Sequence, residues 1–146
     1  MPLSPDELTQ ISALTLAHYQ SSAEDFREGT RDHDVSQNIA ALLRHIEAEK
    51  PWRILDFGCG PGRDLRTFSG LGHTAVGLDG CAEFVAMARA DSGCEVWQQS
   101  FLELDLPAGH FDGIFANASL FHVPDQELPR VLGELHAALK AGGVLF

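Results

Sequence analysis

The sequence predicts an α/β protein with a doubly wound, mainly parallel β-sheet and helices on both faces. Short apolar runs that suit buried strands alternate with segments of helical periodicity, which is the pattern of a covered parallel sheet. One of these runs leads into glycines at three alternate positions, Gly58, Gly60 and Gly62, and a second run ends in Asp79. The 146 residues with 45% apolar composition suit a single domain, residues 1–146, with one hydrophobic core.

The amino-terminal segment begins with a strong helix start. Ser4 can cap the helix, Pro5 takes the first helical position, and Glu7 stands three residues after the cap. Apolar residues at helical spacing extend this helix to about Tyr19. Residues 20–34 are rich in charge and have no clear period, so they are predicted to form an irregular crossing loop.

A second helix is predicted after this loop. Either Asp32 or Asp34 can cap it, and it ends near Lys50 and Pro51. Its apolar positions recur at helical spacing: Val35, Ile39, Leu42, Leu43 and Ile46.

The remaining residues, 51–146, are predicted to form the core of the sheet. Predicted strands occupy residues 53–56, 74–79, 95–99 and 113–116, and a fifth strand starts at 144–146. Predicted helices follow Arg63 and occupy about 82–90 and 128–140, and Gly142 and Gly143 end the last helix.

The glycine run predicts a loop that brings backbone close to a ligand. Glycine has no Cβ, so it reaches positive φ easily and leaves space, and the helix after Arg63 points its first free N–H groups at the loop. A glycine run alone is weak support, because similar turns occur in loops that bind nothing.

Two aspartates strengthen the prediction. Asp56 ends the strand before the loop, where a buried carboxylate needs donors or a cation. Asp79 follows the second strand at about the distance where nucleotide-binding folds place the acid that accepts ribose hydroxyls. Together they indicate a ligand that contains a nucleoside.

Four motifs resemble the class I S-adenosylmethionine-dependent methyltransferases, specifically their small soluble members. They are LDFGCGPG, VGLDG, HFDGIFANASLFHVP and LKAGG, and they cover roughly Arg53 to Phe146 in the order of that family. The resemblance implies a Rossmann-like sheet with strand order 3-2-1-4-5. It also implies that the helices of residues 1–50 form a lid over the cofactor.

The implied cofactor is S-adenosylmethionine, with S-adenosylhomocysteine as product. By resemblance, the three glycines let the backbone approach the methionine portion, Asp56 organises its ammonium group, and Asp79 accepts the ribose hydroxyls. The implied cofactor-binding set is Asp56, Gly58, Cys59, Gly60, Gly62, Asp79, Gly80, Ser100, Phe101 and Asn117.

The adenine side departs from the family pattern. Gly80 and Cys81 stand where relatives have a bulky residue that stacks on the base. After the third strand, Ser100 and Phe101 replace an aspartate that pairs with the adenine amine. Ser100 can accept a hydrogen bond and Phe101 can stack, although a neutral acceptor makes weaker hydrogen bonds than a charged one.

The acceptor side is less clearly encoded. Enzymes of this fold that methylate bases carry an Asn/Asp-Pro-Pro-aromatic motif after the fourth strand, and Asn117-Ala118-Ser119-Leu120 replaces it here. Base methylation is therefore disfavoured, and a small-molecule acceptor is expected.

His122 and Tyr19 are the candidate catalytic residues. With an ordinary pKa of about 6.5, His122 suits a proton acceptor, although a packing or capping histidine is the alternative. Tyr19 resembles the amino-terminal tyrosine that closes over the cofactor in related enzymes. The alternative is an ordinary tyrosine at a helix end.

Composition limits the partners. The net charge is −11 without a cluster of lysine and arginine, so neither nucleic acid nor an anionic membrane surface is an expected partner. Three cysteines form neither a disulfide framework nor a metal clip, so no metal is predicted and a cytoplasmic location is expected. No apolar stretch is long enough to span a membrane.

Two alternatives to a methyltransferase stay open at this point. The first is a cofactor-binding module that performs no transfer, since the family has seven strands and this sequence supplies five. The second is a nicotinamide-dependent oxidoreductase, but its fingerprint is Gly-x-Gly-x-x-Gly, and Arg63 stands at the third glycine position. The fifth strand would be an exposed edge, which predicts a homodimer through that edge.

Overall fold

The computed structural model describes residues 1–146, and its sheet confirms the predicted fold class. The five strands lie in the order β3-β2-β1-β4-β5, and every neighbouring pair is parallel. The strands are β1 (Arg53–Phe57), β2 (Thr74–Asp79), β3 (Glu95–Gln98), β4 (Phe111–Phe115) and β5 (Leu139–Leu145). The helices are α1 (Pro5–Thr30), α2 (Ser36–Leu43), α3 (Arg63–Gly70), α4 (Ala82–Ser92) and α5 (Leu128–Ala138), with a 3₁₀ turn at Leu120–His122.

Each face of the sheet has its own apolar core, because side chains alternate along a strand. In β1, Ile54 belongs to the core that packs under α2, α3 and α4, while Leu55 and Phe57 belong to the core under α5. The strongly amphipathic α3 contributes Leu65 and Phe68, both fully buried, to the first core. Because both faces of β1 are packed, the strand is held in place and so is the start of the glycine loop that follows it.

The first helix is longer than predicted. The capping box is present, since the Glu7 N–H donates to the Ser4 hydroxyl. The helix does not end near Tyr19, however, but continues to Thr30, so the predicted crossing loop is wrong over residues 20–30, and only residues 31–35 separate the first two helices. The physical reason is tertiary: Ala23 and Phe26 extend the inner stripe of the helix onto α4.

The second helix is shorter than predicted. It ends at Leu43 rather than near Lys50. The Asp34 carboxylate accepts the Ser36 N–H at 2.9 Å, so the acidic cap is present one residue before the N-cap position of Val35. Ile46 is still buried in the first core, which explains why it continued the helical pattern.

The last helix ends and the last strand begins earlier than predicted. α5 stops at Ala138, and Gly142 and Gly143 lie inside β5 instead of ending the helix. The register shifts between Phe111 and Gly113 of β4, so β5 accommodates extra residues as an irregularity. Gly142 has a φ of +78°, and a Cβ on Gly143 would lie 2.9 Å from the Lys140 carbonyl oxygen. The glycines are therefore needed for the bulge.

The other element boundaries agree with the predicted ones to within about two residues. None of the helices combines the length and the apolar character that crossing a membrane requires. All three cysteines are free thiols.

We expect Gly62→Ala to lower the free energy of unfolding more than Gly72→Ala. Both glycines have positive φ, +98° and +91°, so either alanine incurs backbone strain of about 1–2 kcal/mol. Only at Gly62 would the added Cβ meet backbone, 2.8 Å from the Cα of Ala88, which adds roughly 1–3 kcal/mol of overpacking. Urea unfolding followed by circular dichroism measures both losses. Equal losses would contradict tight packing of α3 on α4.

Candidate functional site

A cavity of about 910 Å³ opens at the carboxyl ends of the strands, between the sheet and α1. Its size falls in the range of small-molecule sites, and in open parallel sheets ligands bind at this edge. It brings together eleven of the twelve residues predicted to form the site: Tyr19, Gly58, Cys59, Gly60, Gly62, Asp79, Gly80, Ser100, Phe101, Asn117 and His122. The twelfth, Asp56, does not line it.

The glycine loop is held against the end of β2 by Asp79. The Gly60 N–H donates to one carboxylate oxygen of Asp79 at 3.0 Å, and the Cys81 N–H donates to the other at 2.9 Å. The Gly58 and Cys59 N–H groups donate to the Leu78 carbonyl at 2.8 and 3.0 Å. Burial raises the pKa of Asp79, and the backbone hydrogen bonds oppose that rise. The carboxylate thus fixes the loop and still lines the cavity.

The three loop glycines serve different purposes. A Cβ on Gly58 would overlap the Cβ of Ser119, and one on Gly62 would overlap the backbone of Ala88, so both glycines are required by protein packing. At Gly60, with φ of +53°, the nearest atom to a Cβ is in the Phe26 ring at 3.8 Å. Gly60 is therefore the loop position whose backbone faces open space.

Asp56 is buried beneath the glycine loop. It is 3% exposed, and its Oδ2 has no hydrogen-bond partner. Burial holds the pKa of this carboxyl well above its ordinary value, the nearby Asp64 and Asp79 carboxylates raise it further, and Arg63 partly offsets them.

Arg63 connects the glycine loop to α1. Its Nη1 donates to the Thr30 carbonyl at 2.8 Å, and its Nε donates to Asp64 at 2.9 Å. At the other end of the helix, Leu3 and the Gln126 side chain exchange two hydrogen bonds through the Leu3 N–H and carbonyl. The long helix is thereby attached at both ends across the cavity.

Tyr19 and His122 meet inside the cavity although they are 103 residues apart in the chain. The Tyr19 Oη lies 2.8 Å from the His122 Nε2. The tyrosine ring also packs edge-on against Phe26 and tilted against Phe84. Burial lowers the pKa of His122, and burial followed by the charge of Asp79 raises the pKa of Tyr19. The pair is therefore uncharged at neutral pH.

The adenine-side residues form a compact group after β3 and beside β2. The Phe101 ring stacks on Phe57, with centroids 4.4 Å apart, and the Ser100 hydroxyl accepts the Leu102 N–H at 3.2 Å. A Cβ on Gly80 would come within 2.8 Å of the Leu16 side chain. Leu16 thus occupies the space beside Gly80.

The loop after β4 forms the opposite wall. The Asn117 Oδ1 accepts a hydrogen bond from the Asn38 side chain at 2.9 Å, which ties α2 to this loop. Ala118 has a φ of +54°, an unusual conformation for a residue with a side chain, and the hydroxyl of Ser119 is buried without a partner. Strained backbone of this kind is frequent at functional sites.

Sequence reasoning missed several residues that shape this cavity. Leu16 and Phe26 line it, with Tyr19 between them at spacings of three and seven residues, and this helical spacing could have been detected in the sequence. Arg63 was noticed only as a departure from a dinucleotide fingerprint. Its bond to Thr30 joins distant segments, and no local pattern indicates it.

The known proteins that this chain resembles are methyltransferases. The family model of the methyltransferase domain matches residues 54–143, which is more than half of the chain. Among curated proteins, the chain is 35% identical over 126 residues to 24-methylenesterol C-methyltransferase 2 of Oryza sativa subsp. japonica, covering 81% of the chain and 33% of that protein. It is 35% identical over 106 residues to trans-aconitate 2-methyltransferase of Azoarcus sp. strain BH72, covering 71% and 41%.

A solved structure extends the similarity to the fold. The crystal structure of Burkholderia thailandensis 1,6-didemethyltoxoflavin-N1-methyltransferase, with bound 1,6-didemethyltoxoflavin and S-adenosylhomocysteine, superposes with a TM-score of 0.74 at 26% identity. The match covers 96% of this chain and 62% of that one. The chain spans about a third to two fifths of the length of the curated relatives it matches.

We expect Asp56→Asn to stabilise the protein more at pH 7 than at about pH 4. The folded-state pKa of Asp56 lies above its unfolded value, so ionisation costs the folded state more than the unfolded state. Stability is therefore lost as pH rises from the ordinary carboxyl range toward the raised pKa. Asparagine removes this loss.

Urea unfolding of both proteins at the two pH values measures the effect. Any cost of burying the amide is the same at both pH values, so only the difference between them is informative. The exposed Asp125→Asn serves as the control. A pH-independent difference for Asp56→Asn would contradict the raised pKa.

Proposed function

The chain belongs to the family of the methyltransferase domain, and from that premise we propose that it transfers a methyl group from S-adenosylmethionine to a small-molecule acceptor. One observation above all supports this function. The cavity at the strand ends combines an open glycine position, Gly60, with a buried carboxylate, Asp79, that belongs to the second strand. S-adenosylmethionine suits this combination, because it joins a nucleoside, whose ribose could bind Asp79, to a charged methionine chain that could lie on the open glycine position.

The residues present fit S-adenosylmethionine. A Cβ at Gly60 would project into the cavity, so glycine leaves room for a ligand that lies on the loop. Asp56 contributes an unpartnered buried oxygen beneath the loop and Asp79 a second carboxyl, and both have raised pKa values. A cation bound nearby would favour the ionised form of both carboxyls, and both the sulfonium and the ammonium of S-adenosylmethionine are cationic.

Residue roles follow from these positions. Asp79 would accept the ribose hydroxyls with the lone pairs that its two backbone hydrogen bonds leave free. The Phe101 ring, which stacks on Phe57, would contact the adenine, and Ser100 and Gly80 border the same region. Cys59, Gly58, Gly62 and Asn117 shape the floor under the methionine portion.

When bound, S-adenosylmethionine supplies an activated methyl group on a positively charged sulfur. The protein then has to hold the two reactants in line and exclude water, and positioning of this kind can contribute about 7–11 kcal/mol of the barrier. We propose that α1 is the part of residues 1–50 that acts as the lid. Its inner stripe covers the loop through Leu16, Tyr19 and Phe26, while α2 packs in the core under the sheet.

The acceptor lies next to Tyr19 and His122, which we propose as the catalytic residues. These side chains come from opposite walls of the cavity and are hydrogen-bonded to each other. The relatives named above act on a sterol, on trans-aconitate and on a toxoflavin precursor, all of which are small molecules. This range supports a small-molecule acceptor without selecting among them.

A nicotinamide-dependent oxidoreductase is the weaker candidate. The third glycine of a dinucleotide fingerprint allows a helix to pack closely on its strand. Here Arg63 occupies that position, and its guanidinium is committed to Thr30 and Asp64. The site therefore favours the methyl donor over NAD.

We expect Asp79→Ala to weaken binding of S-adenosylmethionine and S-adenosylhomocysteine by about 1.5–3 kcal/mol, which is typical of hydrogen bonds to a charged acceptor. Isothermal titration calorimetry with both ligands and with NAD measures this. Asp125→Ala, outside the cavity, is the matched control and should bind like the unsubstituted protein. Tight NAD binding, or no binding of either sulfur ligand, would contradict the proposed function.

We further propose that copies of this 146-residue chain associate through the outer edge of β5. The Phe146 N–H donates to the Ile114 carbonyl, and the Phe146 carbonyl accepts the Ala116 N–H, so both backbone groups of Phe146 face β4. Because backbone groups alternate along a strand, those of Leu145 face outward and have no partner strand. Unpaired edges of this kind favour pairing with another strand.

Leu145→Pro is expected to shift the protein toward monomer, since proline removes the outward N–H and is tolerated on edge strands. Light scattering over a concentration series measures the mass. Leu71→Gln removes a different exposed apolar side chain, 57% exposed, and should leave association unchanged. A monomer at all concentrations before substitution would refute association through this edge.

A further inference from the structure

We propose that the Tyr19 Oη, and not the His122 ring, takes the proton from the acceptor, and that the acceptor is therefore a hydroxyl or amine compound that loses a proton on methylation. This inference rests on the proposed function, because it assigns chemistry to the same cavity. It differs in what it specifies, namely the atom that receives the proton and the class of acceptor.

The distance between the two side chains argues against direct action by His122. Nε2 lies 2.8 Å from the Tyr19 oxygen, so this nitrogen is already in a hydrogen bond. A neutral imidazole has one donor and one acceptor nitrogen, and a phenol has one hydrogen to donate. With the phenol donating to Nε2, the remaining lone pairs of Oη are free to accept a hydrogen bond from an acceptor molecule.

The surroundings keep the pair neutral and in place. His18 and Phe26 on α1, Phe84 on α4 and Phe121 beside His122 pack against the two rings. Of these neighbours, His18 is the only titratable group, and Asp79 at the end of β2 is the acidic group whose charge acts on the phenol. That negative charge disfavours a phenolate. Tyr19 is therefore expected to donate its phenolic proton to His122 as it accepts the proton of the acceptor molecule.

The transfer step balances as follows. The acceptor oxygen or nitrogen forms a bond to the methyl carbon while the bond from that carbon to the sulfonium sulfur breaks, and sulfur keeps the electron pair as a thioether. The acceptor proton moves to Tyr19 Oη, and the phenolic proton moves to His122 Nε2. The positive charge of the sulfonium is thus replaced by that of an imidazolium, and no other reactant is needed.

The same geometry disfavours a carboxylate acceptor. A carboxylate at neutral pH has no proton to donate to Oη, and in the proposed tautomer the phenolic hydrogen is donated to His122. Four arginines line the cavity: Arg27, Arg31 and Arg63 pair with nearby carboxylates, whereas Arg66 forms no ion pair, and none of the four is hydrogen-bonded to Tyr19 or His122. Phe26 and Phe84 pack on the Tyr19 ring, and neither offers a carboxylate a compensating charge.

The first test determines the tautomer of His122 without using activity. Nitrogen-15 NMR of the imidazole in the free protein, assigned with His122→Gln, is expected to show an unprotonated Nε2 in the neutral ring. Tyr19→Phe keeps the ring that packs on Phe26 and Phe84 but removes the donor, so the Nε2–H tautomer should become populated. A neutral His122 with a protonated Nε2 in the unsubstituted protein would overturn the proposal.

The second test determines the acceptor class with two probes of matched shape, phenol and benzoate. Added to the protein with S-adenosylhomocysteine, phenol is expected to shift the His122 signals and to bind about tenfold more tightly than benzoate, since one satisfied hydrogen bond distinguishes them. Tyr19→Phe should abolish this preference. Equal or tighter benzoate binding, no shift with phenol, or a preference that survives in Tyr19→Phe would each overturn the proposal.

The outcomes separate the proposal from the function on which it rests. If the unsubstituted protein does not bind S-adenosylhomocysteine, the proposed function is refuted. Calorimetry measures this binding before either probe is added. Binding of S-adenosylhomocysteine with a benzoate preference would leave methyl transfer in place and refute only the proton route.

Discussion

The carboxylate of Asp79 holds together the edge of the sheet where the cavity opens. One of its oxygens receives the Gly60 N–H and the other receives the Cys81 N–H, so a single side chain fixes both the glycine loop and the start of α4. Both the floor of the cavity and the helix on which α1 rests depend on these bonds. Because the carboxylate is 9% exposed, its charge also acts at short range on Tyr19. Asp79 therefore both holds the glycine loop in place and influences the pKa of Tyr19.

The features that the sequence predicted correctly are those that local patterns determine. The strands and the glycine loop were confirmed, because short apolar runs, glycine spacing and a terminal acid are visible within a few residues of each other. The strand order was confirmed as well, but it came from the resemblance to the family and not from these local patterns. The continuation of α1 through residues 20–30 was missed, since an inner stripe of Ala23 and Phe26 stabilises it only when α4 is present. The early end of α5 was missed because Gly142 and Gly143 suit a bulge as well as a helix end.

The candidate site shows the same division. Ten of the eleven predicted residues that line the cavity lie at or after the end of a strand, and strand ends gather at one edge of a parallel sheet whatever their side chains are. The eleventh, Tyr19, lies on α1. The hydrogen bond between Tyr19 and His122 and the bond from Arg63 to Thr30 join segments far apart in the chain, and no local period encodes them. Asp56 was expected near a ligand, but its position beneath the loop follows from the side of β1 to which it points.

The attachment of α1 at both ends has a mechanical consequence. At 1.5 Å per residue, 26 residues make a rod of about 39 Å. Such a rod does not bend locally to admit a molecule but turns as a whole about whichever end stays attached, and a turn of about 5° moves the free end by roughly 3 Å. Tyr19 sits near the middle and moves about half as far, which is enough to separate it from His122. If α1 opens the cavity in this way, as proposed above, the same motion would also break the hydrogen bond between Tyr19 and His122.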